Sequence, residues 1–531
     1  MRLLLINPAF PESFWSFQWA IDKIFAGKKT MSPPLGLATV AALCPANWQV
    51  EIIDENIEPV PENPEADIVG ICGMAAQYER QKELLTRYRR QGYFVVAGGS
   101  YASLCPERYE ALADTVVAGE AEYIWKEFCR DYEMRTALPL YRETGEVALG
   151  DSPVPRFDLL KTDQYEVVSL QFSRGCPFRC EFCDIIVMFG RKPRTKSLEQ
   201  VGLELDQLRA RNVHSVFFVD DNLIGNKPLA KRLLEFLHGY QNEHAYWFDF
   251  GTEVSLNVAQ DDELLRLFRA ANFEWVFTGI ESTDEESLKE TLKFQNTRED
   301  MLTSVRKIYS HGIDVLAGFI IGFDHDTMAT FGKQHRFIMQ SGIQAAMIGL
   351  LVAIPKTPLY ERLRRDGRLT AADVTDNTTL GTNVVPKQMG YDEMILGYRS
   401  LYRGLLEDRN IADRIINKVR YFSAAAENTT DSFGQQMGIF LRLFVHGLLP
   451  GGVRRLFHFV RSLPFFRPTL VPLVIGDWVV GLTMRDYVDR RFGEEPTERT
   501  SCRAARPRAV PLPGERRLRA VVERAGAHEA P

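Results

Sequence analysis

The chain has 531 residues, 45% hydrophobic and 25% charged, with a net charge of −6, an ordinary globular composition long enough for about two to four domains. Residues 431–531 hold 16 Arg, no Lys and 10 acidic residues, so the first 430 carry −12, and an acidic body of that kind argues against nucleic acid as a partner. The eight cysteines form no even framework in a short secreted unit, so reduced thiols and a cytoplasmic location are expected.

MRLLLINPAF, with one positive charge and a short apolar run before Pro8 and Pro11, reads as a first β-strand rather than a signal peptide. RLLLINP, QVEIIDEN, ADIVGICG, YFVVAGGS and DTVVAGEAE alternate with helix-compatible segments over residues 1–140, the pattern of a doubly wound (Rossmann-like) α/β sheet. Ligands of such sheets lie beyond the carboxyl ends of the strands, where Gly70, Gly73, Met74, Gly98, Gly99, Ser100, Tyr101, Gly119 and Glu120 fall. Tight βα turns alone would explain these glycines. Taken together, PPLGLATVAAL, GGSYAS and GEAE resemble the cobalamin-binding domain that precedes many radical S-adenosylmethionine (SAM) cores. The D-x-H-x-x-G motif that supplies a cobalt ligand in several cobalamin proteins is absent, and the domain has no His at all.

Residues 141–165, polar and turn-rich with Pro153 and Pro155, form a linker. It leads into VVSLQF and then SRGCPFRCEFCDI, where Cys176, Cys180 and Cys183 make a C-x3-C-x2-C array. Soft thiolates select iron–sulfur or zinc, and a structural zinc site would want a fourth Cys or His nearby. The first His downstream is His214, so a [4Fe–4S] cluster with one open iron fits better. The array resembles the signature of the radical SAM superfamily, with an aromatic at the place of Phe182, and the resemblance implies that the amino and carboxylate groups of SAM occupy the open iron.

From 166 to about 375 the residues predict a partial (β/α)6 TIM barrel with strands VVSLQFS, SVFFVDD, YWFDFGTEV, WVFTGIES, DVLAGFIIG and AAMIGLLVA. Barrel chemistry sits at the carboxyl ends of strands. Asp220, Asp221 and Asn222 end the second strand, Glu253 and Ser255 lie on the third, Gly279, Glu281 and Ser282 end the fourth, and Gly318 and Gly322 flank the fifth. Each alone reads as a cap or turn residue; jointly, beside a three-Cys loop, they point to a SAM pocket. The resemblance assigns Asp220 and Asp221 to the SAM amino group, Glu281 to its ribose and GFIIGF to its adenine.

IPKTPLYERLRRDGRL, residues 354–369, resembles the segment that closes such cores. Residues 376–492 read as a mostly helical region in which Tyr391, Tyr398 and Tyr402 either pack or face a substrate. Residues 431–492 mix Phe, Leu and Val with Arg, without an apolar run long enough to span a bilayer. Helices docked on the barrel, or a peripheral contact with the inner face of the membrane, both fit. The Arg/Pro/Ala-rich tail 493–531 is expected to be disordered.

The resemblance implies that the SAM sulfonium is reduced to give a 5′-deoxyadenosyl radical, that methylcobalamin supplies a methyl group to the substrate radical, and that a second SAM restores it. A small, apolar substrate and an electron donor such as flavodoxin or ferredoxin are implied with it. FWSFQWAIDKIFAGKKTMSPPLGLATVAAL, GCPFRCEFCDII and VDDNLIGN look most like the group that includes the hopanoid C-2 methylases. Two alternatives stand beside methylation: a cobalamin-dependent radical SAM enzyme that cyclises, rearranges or oxidises, and a zinc-binding regulatory or scaffold protein with a cobalamin-like sensor domain.

Overall fold

Short runs of aliphatic and β-branched residues, each followed by an amphipathic helix, build two parallel sheets. The computed structural model describes residues 1–370, 372, 380–423 and 432–492; the tail 493–531 lies outside them. The first sheet comprises β1 (Arg2–Asn7), β2 (Gln49–Asp54), β3 (Ile68–Cys72), β4 (Phe94–Gly98), β5 (Thr115–Ala118) and β6 (Leu140–Arg142). Its order is β2-β1-β3-β4-β5-β6, with every pairing parallel. Helices cover both faces, so the central strands are continuous apolar runs rather than alternating ones. β6 carries the sheet past residue 140, into the segment read as linker. Only Tyr141 of its three residues is buried, too short a pattern to register as a strand in the sequence.

The second sheet comprises β7 (Val168–Leu170), β10 (Ser215–Phe218), β11 (Asp249–Glu253), β12 (Phe273–Glu281), β13 (Asp314–Ile321) and β14 (Ala346–Leu350). These six strands, parallel throughout and in the order β14-β13-β12-β11-β10-β7, are the expected partial barrel. Between β7 and β10 a small antiparallel pair, β8 (Ser173–Arg174) and β9 (Arg194–Thr195), brackets the cysteine loop. Alternation fixes the two faces of the barrel wall. On β13, Val315, Ala317, Phe319 and Ile321 are buried in the main core, whereas Leu316, Gly318 and Ile320 are half-buried on the inner face. Strand register places Phe217, Gly251, Trp275, Phe277 and Leu316 on that same inner face.

The helices Tyr391–Leu405, Asp408–Tyr421, Phe433–Leu443, Gly452–Ser462 and Val471–Phe492 form the C-terminal region. Tyr398 and Tyr402 are fully buried there, and both hydroxyls donate to the Ile348 carbonyl, at 2.6 and 2.8 Å. They hold the helices to β14 and do not line a substrate site. Tyr391 is exposed and donates to the Leu380 carbonyl. The N-terminal segment after β1 crosses to this region, where Phe14 stacks on Tyr402 at 4.8 Å and meets Tyr487 at 4.3 Å. Among the described residues no helix is long and apolar enough to cross a membrane.

Candidate active site

The cysteine loop is held from both sides by carboxylates. Asp220, buried at the end of β10, accepts from the Phe172 and Ser173 amides at 2.8 and 2.7 Å and from the Ser173 hydroxyl at 2.5 Å. Its neighbour Asp221 accepts from the Gly175 amide at 2.7 Å. Both oxygens of Asp220 are therefore engaged by Phe172 and Ser173, so the carboxylate expected at the SAM amino group is occupied in fixing the backbone that leads into the cysteine loop. On the far side, Glu181 binds Arg362, whose guanidinium also reaches Asp324 at 2.8 Å and Glu290 at 3.0 Å. The Leu359 amide donates to the Glu181 carbonyl at 2.9 Å, adding a backbone tie.

The three thiols influence one another electrostatically, and burial pushes those of Cys176 and Cys183 above their ordinary value. The Asn222 amide points at the Cys176 sulfur at 4.0 Å and the Gln295 amide at the Cys180 sulfur at 3.6 Å. Among the described residues no three His, Cys, Asp or Glu side chains come close enough to hold a single metal ion. Soft thiolates suit iron–sulfur, and Cys176, Cys180 and Cys183 would be the ligands of such a cluster.

Around the loop the strand ends supply a mixed-charge rim. Glu281 closes β12 in the left-handed region, φ 63°, a strained backbone for a side chain other than glycine. Its carboxylate accepts from Lys293 at 2.7 Å. Burial alone would depress the Lys293 ammonium, but Glu281 and the Cys180 and Cys183 thiols hold it above its ordinary value. A Cβ on Gly279 would sit 2.1 Å from the Glu281 Oε1 and 2.8 Å from the Lys293 Nζ, so glycine is what leaves room for this pair. Phe182 stands with its ring 5.8 Å from Lys293 Nζ. Ser255 exchanges hydrogen bonds with Asn222 and donates to Asn257 at 2.6 Å. Gly318 lies on the inner face against Phe277, and the Gly322 amide is taken by Asp326 at 2.8 Å.

Glu253 differs from the others because its side chain has no hydrogen-bond or ion-pair partner among the described residues. Burial, then the facing Asp221, Asp220 and Glu281 carboxylates, push it from 4.5 to about 7. Ionised, it accepts hydrogen bonds from an amine N–H and attracts the positive charge of a sulfonium. Binding of SAM is expected to tighten as the pH rises through about 7, and Glu253→Gln to flatten that dependence while weakening SAM about tenfold. The SAM dissociation constant of the two proteins, measured by calorimetry from pH 6 to pH 8, checks this; parallel pH profiles would refute it. The linked stability runs the other way. A carboxyl whose pKa rises on folding is protonated in the folded state and ionised in the unfolded one, so the apo-protein loses stability as the pH climbs from 4.5 to about 7.

At the carboxyl end of the first sheet, the loops after β3, β4 and β5 come together. A Cβ at Gly99, φ 101°, would lie 2.3 Å from the Gly73 carbonyl oxygen, so this glycine is required by one loop packing on another. Tyr101 is buried with its ring against Tyr78 and Tyr109, in the core rather than on the rim. The Gly119 amide donates to Ser103. Glu120 pairs with Arg174 and Arg194, both at 2.8 Å, and so ties this domain to the cysteine hairpin. Met74, 55% exposed, and the uncrowded Gly98 remain on the rim with Ser100. These residues would border a bound cobalamin.

Profile comparisons match the Radical SAM superfamily over residues 170–338, the B12 binding domain over 25–128 and a domain of unknown function, DUF4070, over 357–493. The chain is 43% identical over 373 residues to an uncharacterized methyltransferase of Synechocystis sp., covering 70% of this chain and 69% of that one. It is 36% identical over 382 residues to the hopanoid C-2 methylase of Rhodopseudomonas palustris, covering 70% and 72%. The chain belongs to the cobalamin-dependent radical SAM methyltransferases. The fold of this methyltransferase is shared with the cobalamin-dependent SAM radical enzyme OxsB, at TM-score 0.58 and 14% identity over 98% of this chain and 83% of that one. It is also shared with the methyltransferase TsrM of Kitasatospora setae, at TM-score 0.53 and 17% identity over 69% and 76%. A [4Fe–4S] cluster, SAM and cobalamin are the cofactors of the class.

Three residues of the methyltransferase were not legible in its sequence. Lys293, Arg362 and Trp15 are a lone cation, one of many arginines and an aromatic in a loop. Trp15, 46% exposed, reaches the barrel wall with its ring 5.1 Å from that of Phe277. No spacing rule links these three residues to their partners.

Proposed function

We propose that the methyltransferase adds a methyl group to an unactivated carbon of a polycyclic, lipid-like substrate of the hopanoid kind. The observation that supports this is the inner wall of the barrel: Phe217 stacked on Trp275 at 5.3 Å, then Phe277 under Trp15, with Leu316 and Ile320 beside them. An apolar wall of this type takes a hydrocarbon surface and leaves its carbons unpolarised. When bound, the cluster supplies the electron that divides SAM and cobalamin supplies the methyl group. The chain's own residues orient and exclude: Glu253, Ser255 and the Glu281–Lys293 pair hold SAM over the wall, Glu120 with Arg174 and Arg194 holds the cobalamin-side domain against the cysteine hairpin, and the aromatic wall keeps water and other hydrogen donors out. A flavodoxin or ferredoxin as electron donor, a cytoplasmic location and contact with the inner face of the membrane belong to the same reading.

The test is anaerobic incubation of the reconstituted, cobalamin-loaded enzyme with a low-potential chemical reductant, methyl-labelled SAM and a hopanoid-containing lipid extract. Label in a lipid heavier by one methylene, with S-adenosylhomocysteine formed beside 5′-deoxyadenosine, is the expected result. 5′-Deoxyadenosine without S-adenosylhomocysteine would favour rearrangement or cyclisation instead.

A further inference from the structure

The C-terminal helices are two-sided. Leu443, Leu448 and Phe459 of the segment 433–462 are buried in one cluster with Ile411, Val474 and Trp478. On the opposite side Phe433, Leu441, Val453 and Phe457 are 78%, 54%, 84% and 62% exposed, and the following loop presents Phe465 at 69% and Phe466 at 100%. Because the inner faces share a core, these outer side chains point away from it into solvent. So many large apolar side chains exposed within one short segment cost solubility unless something covers them. From Ser432 to Gly476 the sequence has five arginines and no acidic residue or lysine. Four of the five are used within the fold: Arg442 on the Ile24 carbonyl, Arg455 on Asp408, Arg461 on Asp413 and Arg467 on the carbonyls closing the helix Asp408–Tyr421. Arg454 is exposed and has no ion-pair partner among the described residues.

We propose that this face is a membrane-docking surface, with Phe465, Phe466, Phe457 and Val453 entering the headgroup region of an anionic bilayer and Arg454 meeting its phosphates. Apolar side chains beside cationic ones, in a segment that contributes no acid of its own and whose neighbouring Asp408 and Asp413 are neutralised by Arg455 and Arg461, are the complement of such a surface. The proposal rests on the lipid-like substrate reading above and names where the enzyme would meet that substrate. The absence of acids disfavours a cationic partner, and the bulk of the exposed phenylalanines disfavours a small soluble ligand.

The test is flotation of the full-length holoenzyme with vesicles of phosphatidylcholine alone and of phosphatidylcholine with phosphatidylglycerol. Wild type is expected to float with the anionic vesicles, F465S/F466S to bind at least about tenfold more weakly, and R454E to lose the preference for anionic lipid. Both variants should melt like wild type, since the altered side chains touch little protein. Equal flotation of wild type and F465S/F466S, or none by either, overturns the proposal. So does a dimer in sedimentation that F465S/F466S dissolves, which would make a second copy the occupant, or a cross-link from residue 466 to the segment 493–531 that vesicles do not displace. Methylation of detergent-dispersed lipid separates this from the substrate reading. If wild type floats but methylates no lipid, the substrate reading fails and the docking surface stands; if lipid is methylated without flotation, the reverse holds.

Discussion

Replacing Cys176, Cys180 and Cys183 together by alanine leaves a folded protein that has neither an iron–sulfur chromophore nor SAM-cleaving activity. The fold survives because the loop is anchored by other groups: Asp220 and Asp221 on one side, Glu181 with Arg362 on the other. The sulfurs take backbone hydrogen bonds at Cys176, from Phe178, and at Cys183, from Ile185, and long contacts from the Asn222 and Gln295 amides, none of which spans the fold. The chemistry does not survive, since these three thiolates are the proposed donor set and no other cysteine among the described residues lies in the loop. Anaerobically reconstituted wild type is expected to hold about four iron and four sulfide, and the variant close to none. SAM cleavage falls by a factor on the order of 10⁶ or more, to the uncatalysed background. Iron and sulfide analysis with a chromatographic assay for 5′-deoxyadenosine decides the matter. Stoichiometric zinc in wild type would return the scaffold alternative.

The second large effect is expected at Arg362→Ala. This guanidinium neutralises Glu181, Asp324 and Glu290 together, and Glu181 lies between two cluster ligands. Removing it leaves Asp324 paired with Arg368 at 2.6 Å but takes the guanidinium from Glu181 and Glu290, whose side chains are 10% and 18% exposed. Breaking a fully buried pair costs about 3–5 kcal/mol. Arg362 itself is 26% exposed, so solvent screening reduces the expected loss to roughly 2 kcal/mol. Burial and Asp324 already raise Glu290 to about 7 against the pull of Arg362, so without the arginine it takes up a proton at neutral pH. The functional consequence is a loosened cysteine loop: lower iron content after reconstitution and faster loss of iron to a chelator, with partial recovery in Arg362→Lys. Wild-type iron content and melting temperature in Arg362→Ala would show that the clamp is idle. Arg362 falls in the region matched by the domain of unknown function, residues 357–493, so the clamp would give that domain a share in cluster retention.

What lies close together in the chain could be read from it. The cysteine triad sits within a single loop, six strands repeat a βα rhythm, and Glu253, Glu281 and Gly279 fall at strand ends by simple counting, so local spacing was enough to place them. Tertiary packing decided the roles. Asp220 turns inward to hold backbone amides, Tyr101 and Tyr402 go into cores, and Glu120 bridges two domains, because each is fixed by partners outside its own element. The same holds for Lys293 against Glu281, Arg362 against Glu181 and Trp15 against Phe277. A sequence states which donors and charges exist and their local order; which of them remain unsatisfied at the site, as Glu253 does, depends on what long-range folding brings alongside, since a buried polar group takes whatever partner the closed structure offers it.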